Sequence, residues 1–161
     1  MKWSDPKQGG VRADFATAFD SFDRAARPAE FLERAAGALR PGGLLFLTAT
    51  SGTSLEIQLL GTQSPSVVPP DRINLYSIEG LRSALAEPSW EICEISTPGL
   101  LDVQLLQEHL GATSDPNSNA EARFFKYLLE ERGPECRQSL QEFLQIHRFS
   151  SHARVLARRL K

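Results

Sequence analysis

A chain of 161 residues is long enough for one domain with a buried core and too short for two of ordinary size. With 41% hydrophobic and 24% charged residues and a formal charge of -2, nothing draws it to nucleic acid or an anionic membrane. No apolar run approaches the ~18 residues of a membrane helix, and no apolar signal segment opens the chain. The two cysteines, Cys93 and Cys136, lie far apart without metal-ligand spacing, which predicts a cytoplasmic protein with free thiols.

Residues 1–13, punctuated by Pro6 and Gly9-Gly10, read as a loose leader. Asp14 to Phe19 is a short apolar run without alternation, as in a strand covered on both faces, with a helix as the competing reading. Pro28 suits a first helical position, and Phe31, Leu32, Ala35, Ala36 and Leu39 keep helical spacing after it. Glu30 and Arg34 are an expected i,i+4 pair on the outer side. Arg40-Pro41-Gly42-Gly43 should end that helix, and Leu44 to Ala49 should form a second buried strand. Strand, helix and strand together predict a right-handed βαβ crossover over Asp14 to Ala49.

Leu55 to Leu60 suits a short helix, and Pro65, Pro69 and Pro70 stiffen the loop after it. Ser77 is a good N-cap for a helix over Ile78 to Ala86. Trp90 to Ile95 reads as a third strand, Thr97-Pro98-Gly99 as a turn, residues 102–110 as helical and Thr113 to Asn119 as a polar loop. Two amphipathic helices follow, one with Phe124, Phe125, Leu128 and Leu129 and one with Leu140, Phe143, Leu144 and His147. His147 should end the second, where its charge suits the helix dipole. Ala153, Val155 and Ala157 alternate with polar residues in a last strand over Ser151 to Arg158.

Phe15 to Asp20, Pro28 to Leu32 and Leu39 to Thr48 (with its Arg-Pro-Gly-Gly turn) resemble the second half of class I S-adenosylmethionine-dependent methyltransferases. The resemblance continues through Glu56 to Gly61, Pro69 to Ser77 and Ser151 to Arg158. It implies an α/β, Rossmann-like methyltransferase sheet in partial form, strands four to seven with flanking helices. Residues 1–13 are then a leader and 14–161 the C-terminal half of a methyltransferase-like domain. The family's strand order is three-two-one-four-five-seven-six. Its Gly-rich cofactor loop after strand one has no counterpart here, because Gly9-Gly10 has no apolar strand before it and no helix directly after it.

The implied function is methyl transfer from S-adenosylmethionine to a small-molecule acceptor, with the cofactor held once an N-terminal half is supplied. Without strands one to three, the strand around Ala16 becomes an open apolar edge that seeks a second copy or a partner chain. The alternative is accordingly a truncated, non-catalytic remnant acting as an interaction module or partner-dependent half-domain. Another Rossmann-like nucleotide binder is a third reading, which the later segments fit poorly.

Ligands in open α/β sheets sit beyond the carboxyl ends of the strands, so Phe19 to Arg24 should face cofactor and substrate. Phe19, Asp20 and Phe22 are the expected cofactor contacts, and Asp20 and Asp23 the candidate catalytic carboxylates. The plain alternative for Asp23 is a surface charge paired with Arg24. Where the family has Glu-x-x-Glu-His, this chain has Asp20-Ser21-Phe22-Asp23-Arg24, without the imidazole base. Arg24, Thr50, Ser51, Arg72 and Tyr76 are the candidate substrate-binding residues. An ordinary turn is the alternative for Thr50 and Ser51, and a loop-surface salt bridge for Arg72. Arg72, Asn74 and Tyr76 lie in a lid-like stretch similar to the family's Pro-Pro-Asp-His-Leu-Asn, with Arg72 at the His position. His109, His147 and His152 lack metal-site spacing, and Ser51, Ser54 and Ser77 lack a Gly-x-Ser-x-Gly elbow.

Overall fold

The computed structural model describes residues 12–86, 88–112 and 120–161; Gly9-Gly10 and the polar loop at Thr113 to Asn119 lie outside the described residues. Strand β1 (Ala13–Ala18) pairs in parallel with β2 (Leu39–Thr50). Strand β4 (His152–Arg159) lies antiparallel between β2 and β3 (Trp90–Ser96). The resulting order, β1-β2-β4-β3, is the four-five-seven-six order that the resemblance implies, and β1 is an edge strand as expected. Leu45, Leu47 and Ala49 of β2 face Ala157, Val155 and Ala153 of β4 across the ladder, all six buried. Polar positions of β4 pair outward, Arg154 with Glu94 and Arg158 with Glu91, each at 2.9 Å.

Helix α1 (Pro28–Ala38) carries the chain from β1 to β2, with Pro28 in its first turn and Phe31, Leu32 and Ala35 buried. Glu30 pairs with Arg27 at 2.8 Å rather than with Arg34, the N-cap arginine reaching forward along the first turn. The Arg40-to-Gly43 segment does more than end the helix. Strand β2 begins at Leu39, not Leu44: Ala13 pairs with Leu39 and Phe15 with Leu44, so Arg40 to Gly43 bulge out opposite Asp14 alone. Gly42 takes a positive φ of 79°, and a Cβ on Gly43 would meet the Arg40 carbonyl oxygen at 2.9 Å.

The helices build a second core. Helix α2 (Leu55–Leu60) is capped by the Ser54 hydroxyl and α3 (Ile78–Ala84) by that of Ser77. Helix α3 packs Ile78 and Leu81 into the sheet's core, whereas α4 (Asp102–Ala112), α5 (Ala120–Glu131) and α6 (Gly133–Ile146) cluster around Val103, Leu106, Leu110, Leu129 and Leu144. Within the expected amphipathic faces, Phe125 and Leu140 join this core while Phe124 and Phe143 are exposed. His147 ends α6 as expected, with its ring against Phe143.

Asp102 joins the two cores. Its carboxylate, buried at the start of α4, accepts hydrogen bonds from Ser150 Oγ at 2.6 Å, Gln141 Nε2 at 2.8 Å and the Ser151 N–H at 2.6 Å. Gln141 and Gln145 also donate to the Gly99 carbonyl, tying α6 to the exit of β3. Burial alone pushes the Asp102 carboxyl up, but the hydrogen bonds from Ser150, Gln141 and Ser151 outweigh it and hold the group below the usual carboxylate range.

Thermal melts and denaturant unfolding test this packing. Gly43→Ala should destabilise the protein by about 1–3 kcal/mol, since the new methyl meets fixed backbone. Gly37→Ala, in α1 with open space around its Cβ, should stabilise it by about 0.5–1 kcal/mol in the same thermal melts. Because Asp102's folded pKa is depressed, its contribution is full above the ordinary value of about 4 and is lost as pH falls through the folded value. Asp102→Asn should therefore cost about 2 kcal/mol at neutral pH, and the difference from the parent should shrink progressively as pH is lowered below about 4, read by denaturant unfolding along the pH series.

Candidate functional site

The carboxyl ends of β1 and β2 meet at a turn, Phe19 to Arg24, over which a strap from Ser64 to Tyr76 is drawn. Asp20, immediately past β1, has a positive φ of 44° although it is not glycine. Its N–H donates to Thr48 Oγ1 at 2.9 Å, and the Thr48 hydroxyl donates to Asp20 Oδ1 at 2.9 Å. Phe19 stands outward with 62% of its surface exposed, its ring edge-to-face with Phe46 at 5.8 Å.

Three residues on, Asp23 is fully buried. Its Oδ2 accepts the Thr50 N–H and hydroxyl, both at 3.3 Å, and lies 3.3 Å from Arg72 Nε. Its backbone carbonyl accepts the N–H groups of Ile73 at 3.1 Å and Asn74 at 2.9 Å. Among the described residues, Asp23 Oδ1 and Arg72 Nε have no aligned hydrogen-bond partner, so the contact holds by charge more than by directed bonding. The strap has a second buried anchor in Glu56 of α2, which accepts hydrogen bonds from Ser64 Oγ at 2.5 Å and Ser66 Oγ at 3.0 Å. Arg72 Nη1 reaches the Ser66 carbonyl at 3.2 Å, and Asn74 Nδ2 donates to the Ala25 carbonyl at 2.8 Å.

These contacts divide the expected site residues. Phe19 is exposed and Asp20 partly so at the end of β1, while Tyr76 is half-buried on the strap. Phe22 does not reach the rim: its ring is fully buried, stacked on Tyr76 at 4.9 Å and edge-to-face with Phe31 at 5.5 Å. Asp23 is neither an exposed base nor a surface partner of Arg24, because the strap closes over it. Arg24 binds Asp71 instead, at 2.9 and 2.7 Å, and donates to the Asp20 carbonyl at 2.7 Å. Arg72 is likewise committed, to a buried carboxylate rather than to a loop-surface partner. Thr50 and Ser51 are buried, Thr50 against Asp23 and Ser51 with its N–H on the Ser151 carbonyl at 2.8 Å. Burial pushes the Tyr76 phenol up, with the Asp23 charge adding to it, so the hydroxyl stays a neutral donor.

Thr48 and Glu56 were not among the sequence candidates. Thr48 sits inside an apolar strand where a β-branched residue needs no explanation, and the one trace of Glu56 is a charge within a short apolar helix. Two surface pockets lie elsewhere, one against Ala29, Leu32 and Trp90 and one of about 320 Å³ lined by Leu100, Val103, Gln107 and Arg137. Among the described residues no three His, Cys, Asp or Glu side chains group as metal ligands.

A family model described as a methyltransferase domain matches residues 1–94 of the chain. The chain belongs to the methyltransferase-domain family. All candidate residues from Phe19 to Tyr76 fall within the matched span, which ends inside β3. No curated protein sequence matches the chain. Among solved structures, it is similar to the cyclopropane synthase MmaA2 from Mycobacterium tuberculosis, with 16% identity and a TM-score of 0.48 over 94% of this chain and 57% of that one. It is also similar to a Haemonchus contortus phosphoethanolamine N-methyltransferase 2 in complex with S-adenosyl-L-methionine, with 15% identity and a TM-score of 0.42 over 91% of this chain and 33% of that one. The chain spans about half the length of several solved structures it matches.

Within this methyltransferase-family domain the strap's hold can be measured. Arg72→Ala leaves the Asp23 carboxylate buried without its counter-charge and should destabilise the fold by about 3 kcal/mol or more. Asp71→Ala, which breaks the solvent-exposed pair with Arg24, should leave the unfolding midpoint nearly unchanged. Chemical denaturation of the two variants beside the parent checks both.

Proposed function

We propose that this chain contributes to S-adenosylmethionine-dependent methyl transfer onto a small-molecule acceptor, at the rim formed by Phe19, Asp20 and Tyr76. The observation that carries the reading is the methyltransferase-domain match over residues 1–94, which contains that whole rim. The residues suit a cationic ligand: an outward aromatic ring stands next to a carboxylate fixed by Thr48, at the carboxyl end of a parallel strand pair. S-adenosylmethionine supplies an already activated sulfonium methyl, so the protein's task is alignment and exclusion of water. Phe19 presents its π face, Asp20 accepts hydrogen bonds, and Tyr76 offers a neutral phenol beside the acceptor. Phe22, Asp23, Arg24 and Arg72 hold the turn and the strap in register behind them. The Cys93 and Cys136 thiols, unbridged, agree with a cytoplasmic setting.

A second reading is favoured by the open edge of β1, where Phe15 is 50% exposed. There a strand from a second copy or a partner chain pairs with β1 and completes a partner-dependent half-domain. Isothermal titration of the chain with S-adenosylmethionine separates the readings. Micromolar binding, weakened about three- to tenfold by Phe19→Ala and further by Asp20→Ala, is the expected result; no detectable heat overturns binding by this chain alone. For the edge, a dimer seen by light scattering should dissociate in Phe15→Lys, and a monomer at every concentration removes self-pairing.

A further inference from the structure

We infer that Thr48 is a positioning residue whose hydroxyl holds Asp20 in the left-handed backbone conformation and so sets the shape of the ligand-facing turn. A φ of 44° is costly for a residue with a Cβ and persists where the surroundings over-determine it. Thr48 supplies that determination through one group. Its Oγ1 accepts the Asp20 N–H and donates to the Asp20 carboxylate, both at 2.9 Å, so a single hydroxyl closes on backbone and side chain of the same residue. The hold is completed from the other side by Arg24 Nη1 on the Asp20 carbonyl at 2.7 Å, with Arg24 itself anchored on Asp71 of the strap. Packing does not account for the hydroxyl. Thr48 is 5% exposed in a strand whose neighbours are Leu47 and Ala49, a position that valine's shape would fill. The direction of the Phe19 ring and of the Asp20 carboxylate follows from this turn. That the turn faces a methyl donor rests on the reading above; the hold on Asp20 does not.

The test uses the full chain with Thr48→Val and Thr48→Ser. The three-bond coupling between Asp20 Hα and the Phe19 carbonyl carbon, large at positive φ and small at negative φ, reads the left-handed conformation, amide hydrogen exchange reads the lost acceptor, and calorimetry with S-adenosylmethionine reads the consequence. Thr48→Val should shift the coupling, speed Asp20 amide exchange and weaken binding about tenfold, the scale of one hydrogen bond to a charged group. Thr48→Ser, which keeps the hydroxyl, should restore all three. Should Thr48→Val not fold, Thr48→Ala reads the same coupling. An unchanged coupling in the hydroxyl-less variant overturns the inference, whether or not affinity falls, and so does failure of Thr48→Ser to restore it. If the parent protein binds no S-adenosylmethionine, the methyl-transfer reading of this chain falls, and the coupling and exchange data still decide the role of Thr48.

Discussion

A carboxylate taken out of water must find donors in the folded chain or it opposes folding, and Asp23 finds them for its Oδ2 by drawing three segments together. The end of β2 gives it the Thr50 N–H and hydroxyl, and the strap gives it the Arg72 guanidinium. The strap's backbone bonds back to the Asp23 carbonyl through Ile73 and Asn74. Once that carboxylate is buried, the strap has one place to lie, and the ring of Phe22 is trapped between Tyr76 and Phe31. The exposed ring of Phe19 and the strained turn at Asp20 then form the outer edge of the same structure. The rim is shaped by what lies beneath it.

The two cores are joined by the same device nearby, since Ser51, next to Thr50, bonds to Ser151, whose N–H donates to Asp102. Asp102 is buried where β3, α4, α6 and β4 converge, and its oxygens take donors from Ser150, Ser151 and Gln141. Gly99 suits that place because a Cβ would run into Ser150 Oγ and stand 2.8 Å from Asp102 Oδ2. Apolar burial supplies most of the stabilisation in each core, at roughly 1.5–3 kcal/mol for each fully buried leucine. It does not say how the cores sit against each other. Directional bonds to the buried Asp102 carboxylate do.

Much of the architecture was readable from residue order. Continuous apolarity marked β1 and β2 as strands, although β1, expected to be covered on both faces, leaves Ala13 to Phe15 and Thr17 exposed; Pro28 and Arg40-to-Gly43 marked the ends of the crossover helix, Ser77 marked a cap and alternation marked β4. The bulge at Arg40 to Gly43 was hidden because a Pro-Gly-Gly stop and a Pro-Gly-Gly bulge have the same composition. Phe124 and Phe143 satisfied helical spacing and still face solvent, since spacing defines a stripe while its neighbours decide which part is covered.

At the site the division is sharper. The sequence by itself determined where the turn after β1 would be, because the ends of the parallel strands could be located from their apolar runs. Which residues look outward was decided only in three dimensions. Asp20 and Asp23 are near-identical in sequence terms, yet one stands at the rim and the other is sealed by residues about fifty positions away. Burial of a polar side chain depends on whether distant segments bring it donors. Local propensity carries no record of such partners, so only the folded chain distinguishes the carboxylate left at the rim from the one that holds the strap.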